Sequence, residues 1–73
     1  MNEYKFYKHL DEHSILVINK EGCLSRLYCP FIVLSKKEGK QFFVDEVIGD
    51  DGGCMFYKIK NKLEPFYLYR LLS

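Results

Sequence analysis

Two histidines and two cysteines are the first side chains whose spacing suggests chemistry. His9 and His13 lie four apart, so on a helix they would share one face, as metal-binding histidines do. Cys23 and Cys29 follow and would complete a His2Cys2 tetrahedral zinc set. The five residues between them exceed the two to four of a zinc knuckle, and the knuckle pattern itself is absent. Exposed histidines and small buried thiols explain the four residues more simply, so neither metal nor cofactor is expected.

Catalysis finds no better footing. A cysteine nucleophile needs a neighbouring base, which His9 or His13 would supply, but nothing around Cys23, Cys29 or Cys54 resembles a nucleophile elbow or an oxyanion loop. Asp45-Glu46 and Asp50-Asp51 lack the converging loop ligands of a calcium site and read as charged hairpin tips. Gly52-Gly53 is turn chemistry, because no Lys-Ser/Thr follows it to hold a phosphate. The expectation is a protein that is not an enzyme.

The aromatics carry more. Six Phe and six Tyr, with no Trp, exceed what a domain of 73 residues can enclose. Phe43, Phe56 and Tyr67 fall off the inner parity of the expected strands, and together with Arg70 they have the composition of a protein-binding hot spot. The same aromatics beside Lys58, Lys60 and Lys62 would stack single-stranded bases, which is the alternative reading. Eleven basic against ten acidic side chains leave a net charge of +1, which favours protein over nucleic acid.

These residues must be positioned by strands. There is no Ala, the best helix former, and no Thr, while Ile, Leu, Phe and Tyr are abundant. Ile15–Ile18 is a short apolar run closed by the turn Asn19-Lys20-Glu21-Gly22. Tyr28–Leu34 is a second run, with Pro30 near its start. Gln41–Ile48 is a third, in which Val47 has the wrong parity unless a bulge near Asp45-Glu46 restores it to the core face. After the turn Gly49–Gly53, Met55, Tyr57 and Ile59 alternate with Phe56, Lys58 and Lys60. Asn61-Lys62 makes a tight connection, Pro65 marks a bend, and Phe66–Leu72 is the last run.

Residues 1–13 are expected as an N-terminal extension, and residues 14–73 as the barrel domain. In the extension Asn2 would cap a short helix with Tyr4, Tyr7 and Leu10 at spacing three, the favoured reading. Alternation through Tyr4 and Phe6 as a strand is the competing one. Five short strands separated by regular turns predict an all-β, five-stranded barrel. Its expected core is Ile15, Val17, Val33, Phe42, Val44, Val47, Met55, Tyr57, Ile59, Leu63, Leu68 and Leu71.

The second half, from Lys37-Glu38-Gly39-Lys40-Gln41-Phe42-Phe43-Val44 through Tyr57-Lys58-Ile59 to Leu63-Glu64-Pro65-Phe66-Tyr67-Leu68, resembles the small Src-homology-3-like barrels. The likeness covers about residues 35–72. It implies a hairpin, then a Pro-containing 3₁₀ turn and a short closing strand. The aromatic pair and acidic loop that hold proline-rich peptides in true Src-homology-3 domains are not present in recognisable form. The resemblance therefore speaks to fold and not to ligand.

No basic stretch and apolar run open the chain as a signal peptide does, and its apolar runs are far shorter than a membrane span. An odd cysteine count of three then reads as reduced thiols in a cytoplasm, with no membrane association. The expected function is a small interaction module that binds a protein partner. One concrete version is a phage or mobile-element protein that blocks a host enzyme. A dimeric binder of a small molecule or nucleotide is the third class, since a pocket would form only between two copies of a homodimer.

Overall fold

The computed structural model describes residues 3–49 and 52–72; Asn2, Asp50 and Asp51, to which the sequence assigned a cap and a turn, lie outside them. The described residues form nine strands and one 3₁₀ turn. In chain order these are β1 (Glu3–Asp11), β2 (Ser14–Ile18), β3 (Leu24–Tyr28), β4 (Phe31–Ser35), β5 (Gln41–Val44), β6 (Glu46–Gly49), β7 (Met55–Ile59), β8 (Lys62–Pro65), η1 (Phe66–Leu68) and β9 (Tyr69–Leu72). All strand pairings are antiparallel. They make a six-stranded sheet, β3-β2-β1-β9-β4-β5, and a three-stranded sheet, β6-β7-β8.

The all-β class is as expected, but the five-stranded closed barrel is not found: nine strands form two open sheets. The favoured N-terminal helix is also corrected, because that segment is β1, flanked by β2 and β9. Period two prevails over spacing three there. Tyr4 and Phe6 pack against the core, whereas register shifts after Phe6 and after His9 bulge Tyr7 and Leu10 outward. Two bulges in nine residues imitate a helical spacing.

The other differences have local causes. The second apolar run is broken at the cis peptide Cys29-Pro30, which divides β3 from β4. Strand β3 was hidden because it alternates Leu24, Arg26 and Tyr28 outward with a small polar Ser25 on the inner side. The tight turn is Lys60-Asn61, both at positive φ, with Ile59 paired to Lys62. That is one residue earlier than the sequence suggested. Pro65, η1 and β9 do follow the β7–β8 hairpin in the order anticipated.

The core is Ile15, Val17, Phe31, Val33, Val44, Val47, Met55, Tyr57, Ile59 and Leu71, with Phe42 partly buried against it. Leu63 and Leu68 are corrections, being 55% and 42% exposed. Leu63 lies opposite Lys58 on the outer face of the small sheet, and Leu68 ends η1, which buries none of its residues. The parity of Val47 resolves at Asp45, where β5 stops, β6 begins, and the chain passes from one sheet to the other. Val44 and Val47 are then both fully buried despite their spacing of three. Tyr57 is the largest fully buried side chain, edge-on to Phe31 at 5.7 Å and to Tyr69 at 6.2 Å.

Three substitutions test this core. Ile15→Ala should destabilise the domain by about 2–5 kcal/mol, and Ile15→Val by about 0.5–1.5 kcal/mol. Leu63→Ala should stay within about 0.5 kcal/mol of wild type, as exposed sites do. Urea midpoints for the three variants would check the ordering, which reverses if Leu63 belongs to the core.

Candidate functional site

Tyr67 lies in η1 and Arg70 on β9, three residues on, and the structure brings them into one groove. Its volume is about 220 Å³, and it is lined by Glu3, Tyr4 and Phe6 of β1, Phe66 and Tyr67 of η1, Tyr69 and Arg70 of β9, and Lys36, with Tyr57 and Leu71 beneath. Pro65 enters η1 with an extended backbone, and the turn carries two consecutive aromatics to the surface. Phe66 is fixed against Phe6, rings 5.8 Å apart, and Tyr67 stands nearly perpendicular to Phe66 at 6.2 Å. Tyr67 is 63% exposed. Arg70 pairs with Glu3 at 3.6 Å across the β1–β9 ladder. Lys36 is tied into place by its backbone N–H, which donates to the Leu68 carbonyl at 3.0 Å.

Phe43 and Phe56 are elsewhere. Phe43 is exposed on β5, the terminal strand of the large sheet. Phe56 is half-buried on the outer face of the small sheet, between Ile48 and Pro65 in register. The four residues expected from the sequence to bind a partner therefore divide among three places. Sequence parity found that they point outward and could not show which ones share a surface. It missed Tyr4, Phe6, Lys36, Phe66 and Tyr69, of which Phe6 was signalled only by the strand reading of the first segment.

The three lysines of the nucleic-acid reading form no continuous basic face. Lys58 pairs with Glu46 at 3.4 Å, Lys60 lies over the Phe42 ring at 5.3 Å, and Lys62 opens β8 in solvent. The zinc set does not converge either. The His9 Nε2–H donates to the Asp11 carbonyl at 2.7 Å, and its ring covers Gly49, where a Cβ would fall 2.9 Å from Nδ1. His13 lies 3.8 Å from Glu46. Among the described residues, the one group of three candidate metal donors is Glu12, His13 and Glu46, which includes neither Cys23 nor Cys29.

Beside that turn is a polar network that the sequence did not reveal. The Asp11 carboxylate accepts from the His13 N–H and the Ser14 hydroxyl, both at 2.8 Å, and from Arg26 Nη2 at 3.0 Å. Ser14 is buried and also accepts from Arg26 at 2.9 Å, and Arg26 lies 4.9 Å over the Tyr28 ring. The His13 N–H and then the Ser14 hydroxyl hold the Asp11 carboxyl below its ordinary range, with burial opposing them and the charge of Arg26 adding a lesser downward push. The network joins the β1–β2 turn to β3.

Compared with known proteins, the chain matches no family model, no curated protein and no solved structure.

Two titrations follow from these environments. A carboxyl depressed on folding stabilises the fold above its unfolded pKa, and that contribution is lost as pH falls through the folded value. Asp11→Asn should therefore lower Tm at neutral pH and flatten the dependence of Tm on pH below about 4. Burial, with Asp45, Asp11 and Glu46 nearby, pushes the Cys29 thiol up to about 11, so about one part in a thousand is thiolate at about pH 8. With iodoacetamide at that pH, the exposed Cys23 and Cys54 should be alkylated before Cys29, and denaturant should remove the difference, as read by mass spectrometry.

Proposed function

We propose that this protein is a non-catalytic interaction module, of the small Src-homology-3-like barrel type, that binds an extended segment of a protein partner in the groove between η1 and β1. The order of hairpin, Pro65, η1 and β9 supports the barrel type. The groove carries the functional reading: Tyr4, Phe6, Phe66, Tyr67 and Tyr69 line it, and Lys36 and Arg70 flank it. Tyr and Arg are the residues most enriched at binding hot spots, since each adds a large contact area and a directional polar end. Here Phe66, which bears on Tyr67, is held by Phe6, so little side-chain entropy is lost on contact.

The size of the groove supports a chain-like ligand over a small molecule. Small-molecule sites occupy about 300–1,000 Å³ and enclose most of their ligand. At about 220 Å³ and open along its length, this groove accepts one or two side chains of a chain that continues beyond it. A standard interface takes about 800 Å² from each partner, roughly a sixth of the 5090 Å² surface. The partner therefore extends past the groove, over neighbours such as exposed Leu68.

The test is affinity capture by the tagged chain from nuclease-treated lysate of the source cells, with Tyr67→Ala and Arg70→Ala as paired controls. A stoichiometric protein partner should survive nuclease, and Tyr67→Ala should weaken its binding about tenfold or more while the variant keeps the wild-type circular dichroism. Recovery of nucleic acid, with every protein lost on digestion, would replace this reading with base stacking.

A further inference from the structure

We infer that Glu12, His13 and Glu46 bind one Zn²⁺ ion, which clamps the β1–β2 turn to the small sheet at a site separate from the η1 groove. The donor atoms of these three side chains lie within 4.8 Å of one another. Glu12 and His13 are the two residues between β1 and β2, and Glu46 is the first residue of β6. The set therefore draws on both sheets. An imidazole nitrogen among its donors sets it apart from a surface cluster of carboxylates.

Main-chain bonds hold the three residues in place. The Glu12 carbonyl accepts from the Val47 N–H, and the His13 carbonyl from the Cys29 N–H, both at 2.8 Å. The His13 N–H donates to the Asp11 carboxylate, also at 2.8 Å. Glu46 is fixed in register opposite Lys58. His13 Nε2 lies 3.8 Å from Glu46 Oε1, beyond hydrogen-bond reach, so the imidazole nitrogen is not committed to that carboxylate. The other oxygen, Oε2, is 3.4 Å from Lys58 Nζ. Glu46 thus turns one oxygen to the lysine and the other to the histidine.

The donor types select the ion. Calcium and magnesium prefer oxygen ligands alone, whereas zinc takes imidazole and carboxylate together, with three protein ligands and a water at an open site. Zinc lies about 2.0–2.2 Å from such donors, which sets tetrahedral donors about 3.4 Å apart. Rotation of the side chains brings His13 and Glu46 from 3.8 Å to that spacing. Glu12 and Glu46 also border an open cleft of about 470 Å³, which gives water access to the remaining position. Two carboxylates neutralise the ion, and the Lys58 ammonium opposes it.

The test is a titration of zinc chloride into the reduced, ¹⁵N-labelled chain in chelator-free buffer, with magnesium and calcium chloride in parallel. Zinc should bind one to one, with saturable shifts over residues 11–14 and 45–47 that chelation reverses. Saturating zinc should also raise Tm, and the rise should vanish in His13→Ala. His13→Ala and Glu46→Gln should each weaken binding about tenfold or more while keeping the wild-type circular dichroism. Lys58→Met, which removes the opposing cation, should tighten it. Replacing the exposed thiols, Cys23→Ser with Cys54→Ser, should leave it unchanged. No saturable shift, an equal response to magnesium or calcium, binding that survives His13→Ala, or binding lost with the two thiols would each overturn the inference.

Discussion

The corner at Asp45 is the constraint on which the rest of the architecture depends. One continuous stretch, Gln41–Gly49, must serve two sheets, pairing with β4 over its first half and β7 over its second. A straight strand would put Val44 and Val47 on opposite faces, and one would face water. The break at Asp45 turns both inward and is secured on each side of the residue that follows it: the Asp45 N–H goes to Lys58, and the Val47 N–H goes to the Glu12 carbonyl at 2.8 Å. The second bond also ties the β1–β2 turn to the small sheet, so the same corner joins three parts of the chain.

Around that corner the core is small, and Tyr57 is its largest fully buried side chain. A domain of this length buries roughly 60% of its unfolded surface, so each large side chain carries an unusual share of the burial. Tyr57 contacts Phe31 and Tyr69, and Tyr69 contacts Phe42, all with tilted or edge-on rings. Tyr57 and Tyr69 also lie at the η1 groove, while Phe42 borders a second recess, beside β5. The aromatic cluster that fills the interior therefore reaches both recesses. Rings whose inner edges are packed in the core present their outer edges in fixed orientations.

What the sequence made legible was periodicity where it ran undisturbed. Met55, Tyr57 and Ile59 alternate cleanly and are buried, with Lys58 and Lys60 outside, and Val44 and Val47 implied a bend that the structure places at Asp45. Periodicity failed where backbone irregularity intervened. The bulges of β1 gave Tyr4, Tyr7 and Leu10 a helical spacing, and β3 turned its apolar Leu24 and Tyr28 outward while the small polar Ser25 shared the inner side with Leu27. Leu63 and Leu68 were misassigned because hydrophobicity reports a preference for burial and not its availability. The site suffered from a different loss. Outward parity is a property of one strand, whereas a surface is a property of several, and the pairing that joins β1 to β9 spans nearly the whole chain.

The open edges of the two sheets and these two recesses are one physical fact. A closed barrel pairs every strand on both sides and leaves no backbone edge, whereas an open pair of sheets must protect its edges or use them. Here the chain turns away from β5 at Lys60-Asn61, and among the described residues β1 meets β9 through two residue pairs, Glu3 with Leu72 and Tyr4 with Leu71. Each early separation leaves a recess floored by core aromatics and rimmed by lysine or arginine. The rim cations keep such edges soluble by opposing association with a second basic edge.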